Sequence, residues 1–266
     1  MHPQPLERTP RATATVPRTL KDNLREIRAR IAAAQQFGAH ATRGAVGLVV
    51  VTKSAPPGGM DALYCSIDPG STLDVGENRV ADASAKRSRA PRSVRWHGIG
   101  HLQTNKVRKA LDAFDVFHAL DSSHLAVRLE SVLAETDRRW PVYAEVNAAR
   151  DPAKFGIAPE EALAFLKSLS DHPHLEVVGL MTMARDDADA TTTRETFATL
   201  RALRDEAVTR GIGRVPAEGL SMGMTGDFEI AVEEGATCVR VGRAIWDDVD
   251  VTASNESAAQ PRARRI

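Results

Sequence analysis

The chain has 266 residues, of which 42% are hydrophobic, and this is enough to build a large domain with a sizeable core. Thirty-five Lys and Arg balance 35 Asp and Glu, so no overall charge attracts nucleic acid or an anionic membrane. No apolar run approaches the roughly 20 residues of a membrane span, and the first residues lack the apolar centre of a secretory signal. We therefore expect a cytoplasmic protein that binds a small molecule, without nucleic-acid or membrane partners.

The two ends of the chain differ in composition from its middle. Residues 1–17 and the tail 252–266 are rich in Pro, Ser, Ala and Arg without apolar periodicity, which predicts disordered ends around a domain at 18–251. Cys65 and Cys238 have no spacing typical of a metal site. In a cytosolic protein we expect both to be reduced and buried, with one disulfide as the alternative.

Short apolar runs bounded by turn residues alternate with helix-like segments along the chain. We predict strands at eight of these runs, which begin at Val46, Ser71, Val94, Val116, Val142, Val177, Ala217 and Cys238. Segments from Glu160 and Thr193 carry apolar residues on one helical face, and a short amphipathic helix from Gly226 ends at Gly235.

This alternation of strands and helices predicts an α/β fold, a single closed parallel (β/α)8 barrel of the TIM type. The competing fold is an open doubly wound sheet, but no Gly-x-Gly-x-x-Gly follows the first strand. In such a barrel the carboxyl ends of all strands share one mouth. Polar residues stand at these predicted ends: Lys53, Glu77, Asn78, His97, Asp121, Asn147, Ser221 and Arg240.

Lys53 ends the first apolar run, in GLVVVTKSAPP. Apolar surroundings disfavour the charged form of an amine, and a neutral amine attacks an aldehyde to form a Schiff base. Both a substrate carbonyl and pyridoxal phosphate fit this chemistry. The structural alternative is a solvated lysine at the end of a strand.

The last two predicted strands end in residues that favour a phosphate group. SMGMTGDFEIAV places hydroxyls and glycines before a helix, and RVGR places another glycine at the next strand end. Loops after the seventh and eighth strands are the common phosphate site of this fold. Either glycine alone would indicate only a tight turn. Together they predict a phosphate site formed by Ser221, Gly223, Thr225, Gly242 and the backbone of Arg243.

Six segments between residues 23 and 247 resemble, in order and spacing, the pyridoxal phosphate homeostasis proteins, single-domain relatives of the alanine racemase barrel domain. They are VVVTKSAPP, DVGENRVAD, WHGIGHLQTNK, KFGI, GLMTM and LSMGMTGDFEIAVEEGATCVRVGRAIW. The resemblance implies a monomer of the alanine racemase N-terminal type that holds pyridoxal 5'-phosphate (PLP) as a lysine Schiff base. It also implies a role in intracellular PLP (vitamin B6) homeostasis, with PLP-dependent apoenzymes as partners.

The resemblance also implies roles for individual residues. Lys53 matches the lysine of the Schiff base, Ser221, Gly242 and Arg243 fall where the phosphate is held, and Arg240 falls where an arginine faces the pyridine nitrogen. A guanidinium there disfavours protonation of the ring, because like charges repel, and makes the cofactor a poorer electron sink.

Two further residues, Asn78 and His97, resemble family positions that line the mouth. A strand-end turn and a hydrogen-bonded histidine at the edge of the core are their structural alternatives. The chain departs from the family pattern at Arg79 and Ala81, where an aromatic residue and a glutamine are usual, and before the glycine of KFGI.

Whether the protein is an enzyme depends on a second acid or base opposite Lys53. The tyrosines Tyr64 and Tyr143 are expected in the first crossover helix and in strand packing, and the tail after the barrel is too short for the second domain of alanine racemase. We therefore expect a PLP carrier without a catalytic residue. The alternatives are a single-domain racemase with His97 as second base, a Schiff-base aldolase, and a metal-dependent hydrolase using His97 and His101, although Gly98 and Gly100 argue against a metal site.

Overall fold

The computed structural model describes residues 18–42, 44–68, 70–213 and 218–251. The segments 1–17 and 252–266, which the sequence predicts to be disordered, lie outside these residues. The described residues form a closed barrel of eight parallel strands in chain order, with the first strand paired to the last. The predicted (β/α)8 architecture is therefore confirmed.

All eight predicted runs overlap a strand, and the carboxyl ends of these strands form the mouth. The predicted fifth and sixth runs each begin two residues late, because the strands start at Trp140 and Leu175. Ala217, the predicted start of the seventh run, lies outside the described residues. The strands are β1 (Gly47–Val51), β2 (Leu73–Glu77), β3 (Val94–Gly98), β4 (Val116–Leu120), β5 (Trp140–Glu145), β6 (Leu175–Met181), β7 (Gly219–Ser221) and β8 (Cys238–Val241).

Helices cover the outside of the barrel. They are α1 (Leu20–Phe37), α2 (Gly59–Cys65), α3 (Val80–Arg87), α4 (Val107–Ala113), α5 (Ser123–Ala134), α6 (Ala162–Ser168), α7 (Ala190–Thr209), α8 (Phe228–Glu233) and α9 (Arg243–Trp246). Short 3-10 turns at Thr104–Lys106, Pro159–Glu161 and Leu169–Asp171 precede α4 and flank α6.

The first helix, α1, was not predicted, although its sequence carries the signal. Leu20, Leu24, Ile27 and Ile31 are buried at helical spacing, and a capping box of Thr19 and Asp22 begins the helix. Asn23, on the same helix, reaches α9, where its amide donates hydrogen bonds to the backbone oxygens of Ile245 and Asp247. Helix α1 therefore packs against α9 and covers the junction between β1 and β8.

That junction closes the barrel and positions the candidate site. In the register of the two strands, Val49 lies opposite Arg240. The indole N–H of Trp246 in α9 donates to the backbone oxygen of Val51 over 2.7 Å, which ties the last helix to the end of β1. The loops that follow β1 and β8 are consequently neighbours at the mouth.

The two cysteines are free and have different environments. Cys238 is buried at the start of β8, as expected, and burial raises the pKa of its thiol to about 11. Cys65 is exposed at the end of α2, so its predicted burial is wrong, because it lies on the solvent side of that helix. None of the described helices is long and apolar enough to cross a membrane.

Candidate functional site

Lys53 follows the end of β1 at the mouth of the barrel. Its side chain is exposed, and it forms no hydrogen bond or ion pair within the described residues. The apolar surroundings predicted for it are therefore absent, because the chain turns outward after the buried Thr52. The amine is available to a ligand without first giving up a partner.

The loops after β7 and β8 meet beside the end of β1. The backbone N–H of Ala244 donates to the hydroxyl oxygen of Thr225 over 3.4 Å, and the N–H of Arg240 donates to the carbonyl of Gly223 over 2.9 Å. Gly242 packs against Val51 of the first strand. The structure thus brings together four of the residues predicted to bind a phosphate, Gly223, Thr225, Gly242 and Arg243.

Packing alone accounts for the two glycines of this region. Gly223 has a φ of +94°, and a Cβ there would lie 2.6 Å from that of Ala231. A Cβ on Gly242 would lie 3.1 Å from that of Val51. Both positions need glycine for close approach, so their identity is not evidence of a ligand. Arg243, by contrast, is exposed, and its side chain has no hydrogen-bond or ion-pair partner within the described part of the chain.

Ser221 and His97 were predicted at the mouth, and the structure places both below it, inside the barrel. Ser221 is fully buried, and its hydroxyl lies 2.8 Å from His118 Nδ1 and 2.7 Å from Arg240 Nη1. The ring of His97 lies 2.8 Å from His118 Nε2 through its Nδ1 and 3.0 Å from Asp74 Oδ1 through its Nε2. These bonds occupy the Ser221 hydroxyl and both ring nitrogens of His97, and contact of either residue with a cofactor stays a prediction.

Arg240 projects from β8 into the barrel and is only 3% exposed. Its Nη1 donates to Ser221 Oγ and its Nη2 donates to the backbone oxygen of Thr182 over 3.0 Å. It forms no ion pair within the described residues. Burial lowers the pKa of the guanidinium, and the charges of Cys238, Glu145 and other groups oppose that shift. The arginine is therefore held by neutral acceptors.

Asn78 follows β2, at the mouth, and its side chain is exposed. The residue packs against Gly100, where a Cβ would lie 3.0 Å from the Cα of Asn78. The preceding Glu77 is buried and accepts hydrogen bonds from the Thr52 hydroxyl and the Asn78 N–H over 2.8 and 3.2 Å. Lys86 of α3 pairs with the same carboxylate. This ion pair lies beside the strand end that carries Lys53.

Acidic residues occupy the ends of β4 and β5. Burial raises the pKa of Glu145 to about 7, and the nearby charge of Asp121 raises it further while Arg240 opposes the shift. The Oδ2 atom of Asp121 lies 2.6 Å from Nδ1 of His101, at hydrogen-bond distance. The His101 ring stacks on Phe155 at 4.0 Å between centroids, so the loop after β5 reaches across to the loop after β3.

Sequence reasoning missed several members of these clusters: Asp74, Lys86, His118, Glu145 and Thr182. For His118 a signal existed, since it stands in the middle of the wholly buried strand VFHAL, where a polar ring requires a partner. For Thr182, which contributes its backbone oxygen, no side-chain pattern could have given the contact.

The donor set at the mouth suits an anionic aldehyde better than a metal ion. An exposed amine, an exposed guanidinium and the Thr225 hydroxyl lie at the ends of three consecutive strands, β1, β8 and β7. Amines react with aldehydes, and cations with hydroxyls bind phosphate. Within the described residues, no group of three or more His, Cys, Asp and Glu side chains could hold a metal ion.

Comparisons with known proteins agree with this chemistry. Residues 18–248 match the family described as alanine racemase, N-terminal domain. Pyridoxal phosphate homeostasis proteins of Pseudomonas aeruginosa and Aquifex aeolicus are 31% and 33% identical, over 88% and 76% of this chain and 98% and 86% of their own lengths.

Solved structures show the same relationship. PipY of Synechococcus elongatus, solved with PLP bound, is 32% identical over 86% of this chain and all of its own, with a TM-score of 0.72. An alanine racemase of Clostridium difficile is 14% identical over 89% of this chain and 61% of its own, with a TM-score of 0.67. The second likeness shows the fold alone.

Proposed function

This chain belongs to the pyridoxal phosphate homeostasis proteins, within the alanine racemase N-terminal domain family, and we propose that it binds PLP through a Schiff base with Lys53. The observation that carries the proposal is the pair of exposed cations Lys53 and Arg243, which follow the adjacent strands β1 and β8 and whose side chains have no partner among the described residues. Neither cation has to break an ion pair when a ligand arrives, so its attraction for an anion is not offset.

The neighbouring groups complete a site for the phosphate and the ring. Thr225 and the loop of Gly223 lie against the start of α9, next to Arg243. We propose that this loop and Arg243 hold the phosphate, with Gly242 at the floor, and that Asn78 borders the site from β2. Arg240 faces the ring nitrogen from below in this proposal.

Bound PLP supplies an aldehyde and an electron-accepting ring. A guanidinium at the ring nitrogen opposes protonation of that nitrogen, since two positive charges repel, and this weakens the ring as an electron acceptor. His97, the second base considered for a racemase, uses both ring nitrogens on Asp74 and His118 inside the barrel. Both arguments support holding the cofactor over converting a substrate with it.

We further propose that the protein acts as a cytoplasmic monomer that releases PLP to apoenzymes and so contributes to vitamin B6 homeostasis. The relatives' names and PipY with PLP bound support the homeostasis role. The exposed position of Lys53 supports release, because water and an incoming amine can reach the bond that must be broken. Gel filtration with light scattering tests the monomer, and reactivation of a PLP-dependent apoenzyme tests the transfer.

The first experiment measures PLP attachment to Lys53. Purified protein is incubated with PLP, reduced with borohydride and digested, and the modified peptide is located by mass spectrometry. We expect the modification on Lys53 in the wild type and its loss in Lys53→Ala, whereas the control Lys86→Ala retains it. An unmodified wild type, or modification elsewhere, would refute the proposal. Carbonyl substrates trapped on Lys53 in place of PLP would favour the aldolase alternative.

A further inference from the structure

A chain of hydrogen bonds crosses the interior of the barrel and ends on Arg240. Asp74 Oδ1 lies 3.0 Å from His97 Nε2, and His97 Nδ1 lies 2.8 Å from His118 Nε2. His118 Nδ1 lies 2.8 Å from Ser221 Oγ, which lies 2.7 Å from Arg240 Nη1. The chain thus links β2, β3, β4, β7 and β8. We call it the relay.

The two ends of the relay fix where its protons lie. Burial would raise the pKa of Asp74, but hydrogen bonds from His97 and Arg95 lower it to about 2, so its carboxylate is ionised at neutral pH and only accepts. A guanidinium only donates, so Ser221 Oγ accepts from Arg240. His97 must then donate through Nε2 to Asp74.

The proton positions in the middle of the relay follow from the same assignment of donors and acceptors. Burial, with the nearby cations Arg240 and Arg95, holds the pKa of His118 well below its usual value, so this ring is neutral. Of the two side chains bonded to the Ser221 hydroxyl, Arg240 only donates, so His118 Nδ1 accepts the hydroxyl proton. The proton of His118 is then on Nε2, which donates to His97 Nδ1. Every bond then runs in one direction, from Arg240 to Asp74, and no donor faces another.

The relay provides what Arg240 otherwise lacks. A buried guanidinium without a carboxylate partner is costly, and within the described residues Arg240 has only Ser221 Oγ and the Thr182 carbonyl as acceptors. Donors that are aligned in one direction strengthen each other, so the negative charge of Asp74 polarises each link towards Arg240. Tyr143 stacks on the His118 ring at 4.4 Å between centroids.

We propose that Asp74, His97, His118 and Ser221 are positioning residues that fix the guanidinium of Arg240 beneath the mouth, in the orientation in which it meets the ring of PLP. This inference rests on the proposed function for its ligand but not for its hydrogen bonds, which are present without PLP. It gives His97 and Ser221 a role through Arg240 in place of contact with the cofactor.

The first test needs no cofactor. Nitrogen-15 NMR of the full-length protein without PLP, with His97 and His118 assigned by single substitutions, reports which ring nitrogen carries the proton. At neutral pH we expect Nε2, and not Nδ1, to carry the proton in both rings. A proton on His118 Nδ1, or a doubly protonated His97, would reverse the direction of the relay and overturn the proposal.

The second test breaks the relay at its far end. In Asp74→Asn the amide can offer either an acceptor or a donor to His97, so we expect His118 to show a mixture of tautomers two links away. The matched control is Arg95→Gln, which removes the other side-chain partner of Asp74 but leaves all relay bonds in place. His118 is expected to keep its tautomer in this control. An unchanged His118 in Asp74→Asn would overturn the proposal.

The third test adds PLP and measures its dissociation constant by spectral titration. We expect Ser221→Ala to weaken binding about tenfold and Asp74→Asn about threefold, with Arg95→Gln within about twofold of the wild type. Unchanged binding in both relay variants, with wild-type binding intact, would overturn the positioning role. If the wild type itself bound no PLP, the proposed function would fail, and the NMR results alone would decide the relay. Thermal unfolding of each variant shows whether it is folded.

Discussion

Two lysines near the end of β1 show the two ways in which this barrel treats a charge. Lys86 reaches from α3 to the buried carboxylate of Glu77 and to the carbonyl of Thr52, and three quarters of its side chain is covered. Lys53 follows Thr52 directly, yet it is exposed and has no hydrogen-bond or ion-pair partner within the described residues. The charge of Lys86 stabilises the fold, whereas the charge of Lys53 is available to a ligand.

The same contrast separates the barrel interior from the mouth. In the interior, the polar groups from Asp74 to Arg240 satisfy one another in the relay. At the mouth, the side chains of Lys53 and Arg243 have no hydrogen-bond or ion-pair partner in the part of the chain that the structure describes. A paired buried charge is expensive to disrupt, whereas an exposed unpaired one contributes little to stability. Substitutions should therefore separate stability from binding.

The largest expected effect compares the two lysines directly. Lys86→Met leaves the carboxylate of Glu77 buried without its cation, which is expected to lower the free energy of unfolding by about 3 kcal/mol. Lys53→Met is expected to change it by less than about 0.5 kcal/mol. Urea unfolding followed by tryptophan fluorescence measures both variants. Similar losses in the two would show that Lys53 also serves the fold.

The second prediction concerns Glu145, whose folded-state pKa of about 7 lies above the ordinary value of 4.5. The folded protein holds the Glu145 proton more tightly than the unfolded chain does. The contribution of this proton to the free energy of unfolding is therefore fully present below about pH 4.5 and is lost as pH rises to about 7. The loss is about 3 kcal/mol for the wild type. Glu145→Gln, which cannot ionise, is expected to lack it.

Urea unfolding at pH 5 and pH 8 measures this difference. Asp121→Asn is a graded control, because removing the neighbouring negative charge lowers the pKa of Glu145 and should reduce the loss without abolishing it. A Gln variant with the same pH dependence as the wild type would show that Glu145 ionises normally.

The third prediction tests the interior from its acidic side. The pKa of Asp74 is lowered to about 2 from 3.8, so its contribution is present above pH 4 and is lost as pH falls through 2. This contribution is about 2 kcal/mol. Acid unfolding of Asp74→Asn is expected to begin from a less stable protein and to depend less on pH below 4. A wild-type acid profile in the variant would contradict this.

The smallest expected effect is at the mouth and concerns binding only. Arg243→Ala is expected to raise the dissociation constant for PLP about tenfold, or about 1.4 kcal/mol, because it removes the charged side chain that we propose as a phosphate ligand. Its unfolding should be unchanged within about 0.5 kcal/mol. The matched control is Arg79→Ala, another exposed arginine, which follows β2 on the other side of β1 from β8. Equal effects of the two would indicate only general attraction between charges.

The barrel itself was predictable from the sequence because each strand is a local apolar run between turn residues. Seven of the eight runs, from VGLVVVT to CVRVG, begin within two residues of their strands, and the start of the seventh is not described. Helix α1 was equally readable from Leu20, Leu24, Ile27 and Ile31, but it precedes the first strand, outside the repeating pattern.

The site was only partly predictable, because a position near the end of a strand does not show whether the side chain lies inside the barrel or at its mouth. Alternate residues of a strand point inward or outward, so Ser221 and His97 turned into the barrel while Lys53 and Asn78 remained exposed. The relay joins five separate strands. Its most distant bonded pair, His118 and Ser221, is separated by 103 residues in the chain. No local pattern specifies such a contact.

The closure of the barrel between β1 and β8 has a consequence for biosynthesis. Val50 pairs with Val241, so an edge of β1 stays open until about 190 further residues have been made. Unpaired strand edges recruit other chains, and contacts so distant in sequence form slowly. Arg243 directly follows the end of β8, so a nascent chain that stalls before β8 has neither a closed barrel nor this residue of the proposed phosphate site. Retention of the cofactor would therefore distinguish finished chains from interrupted ones.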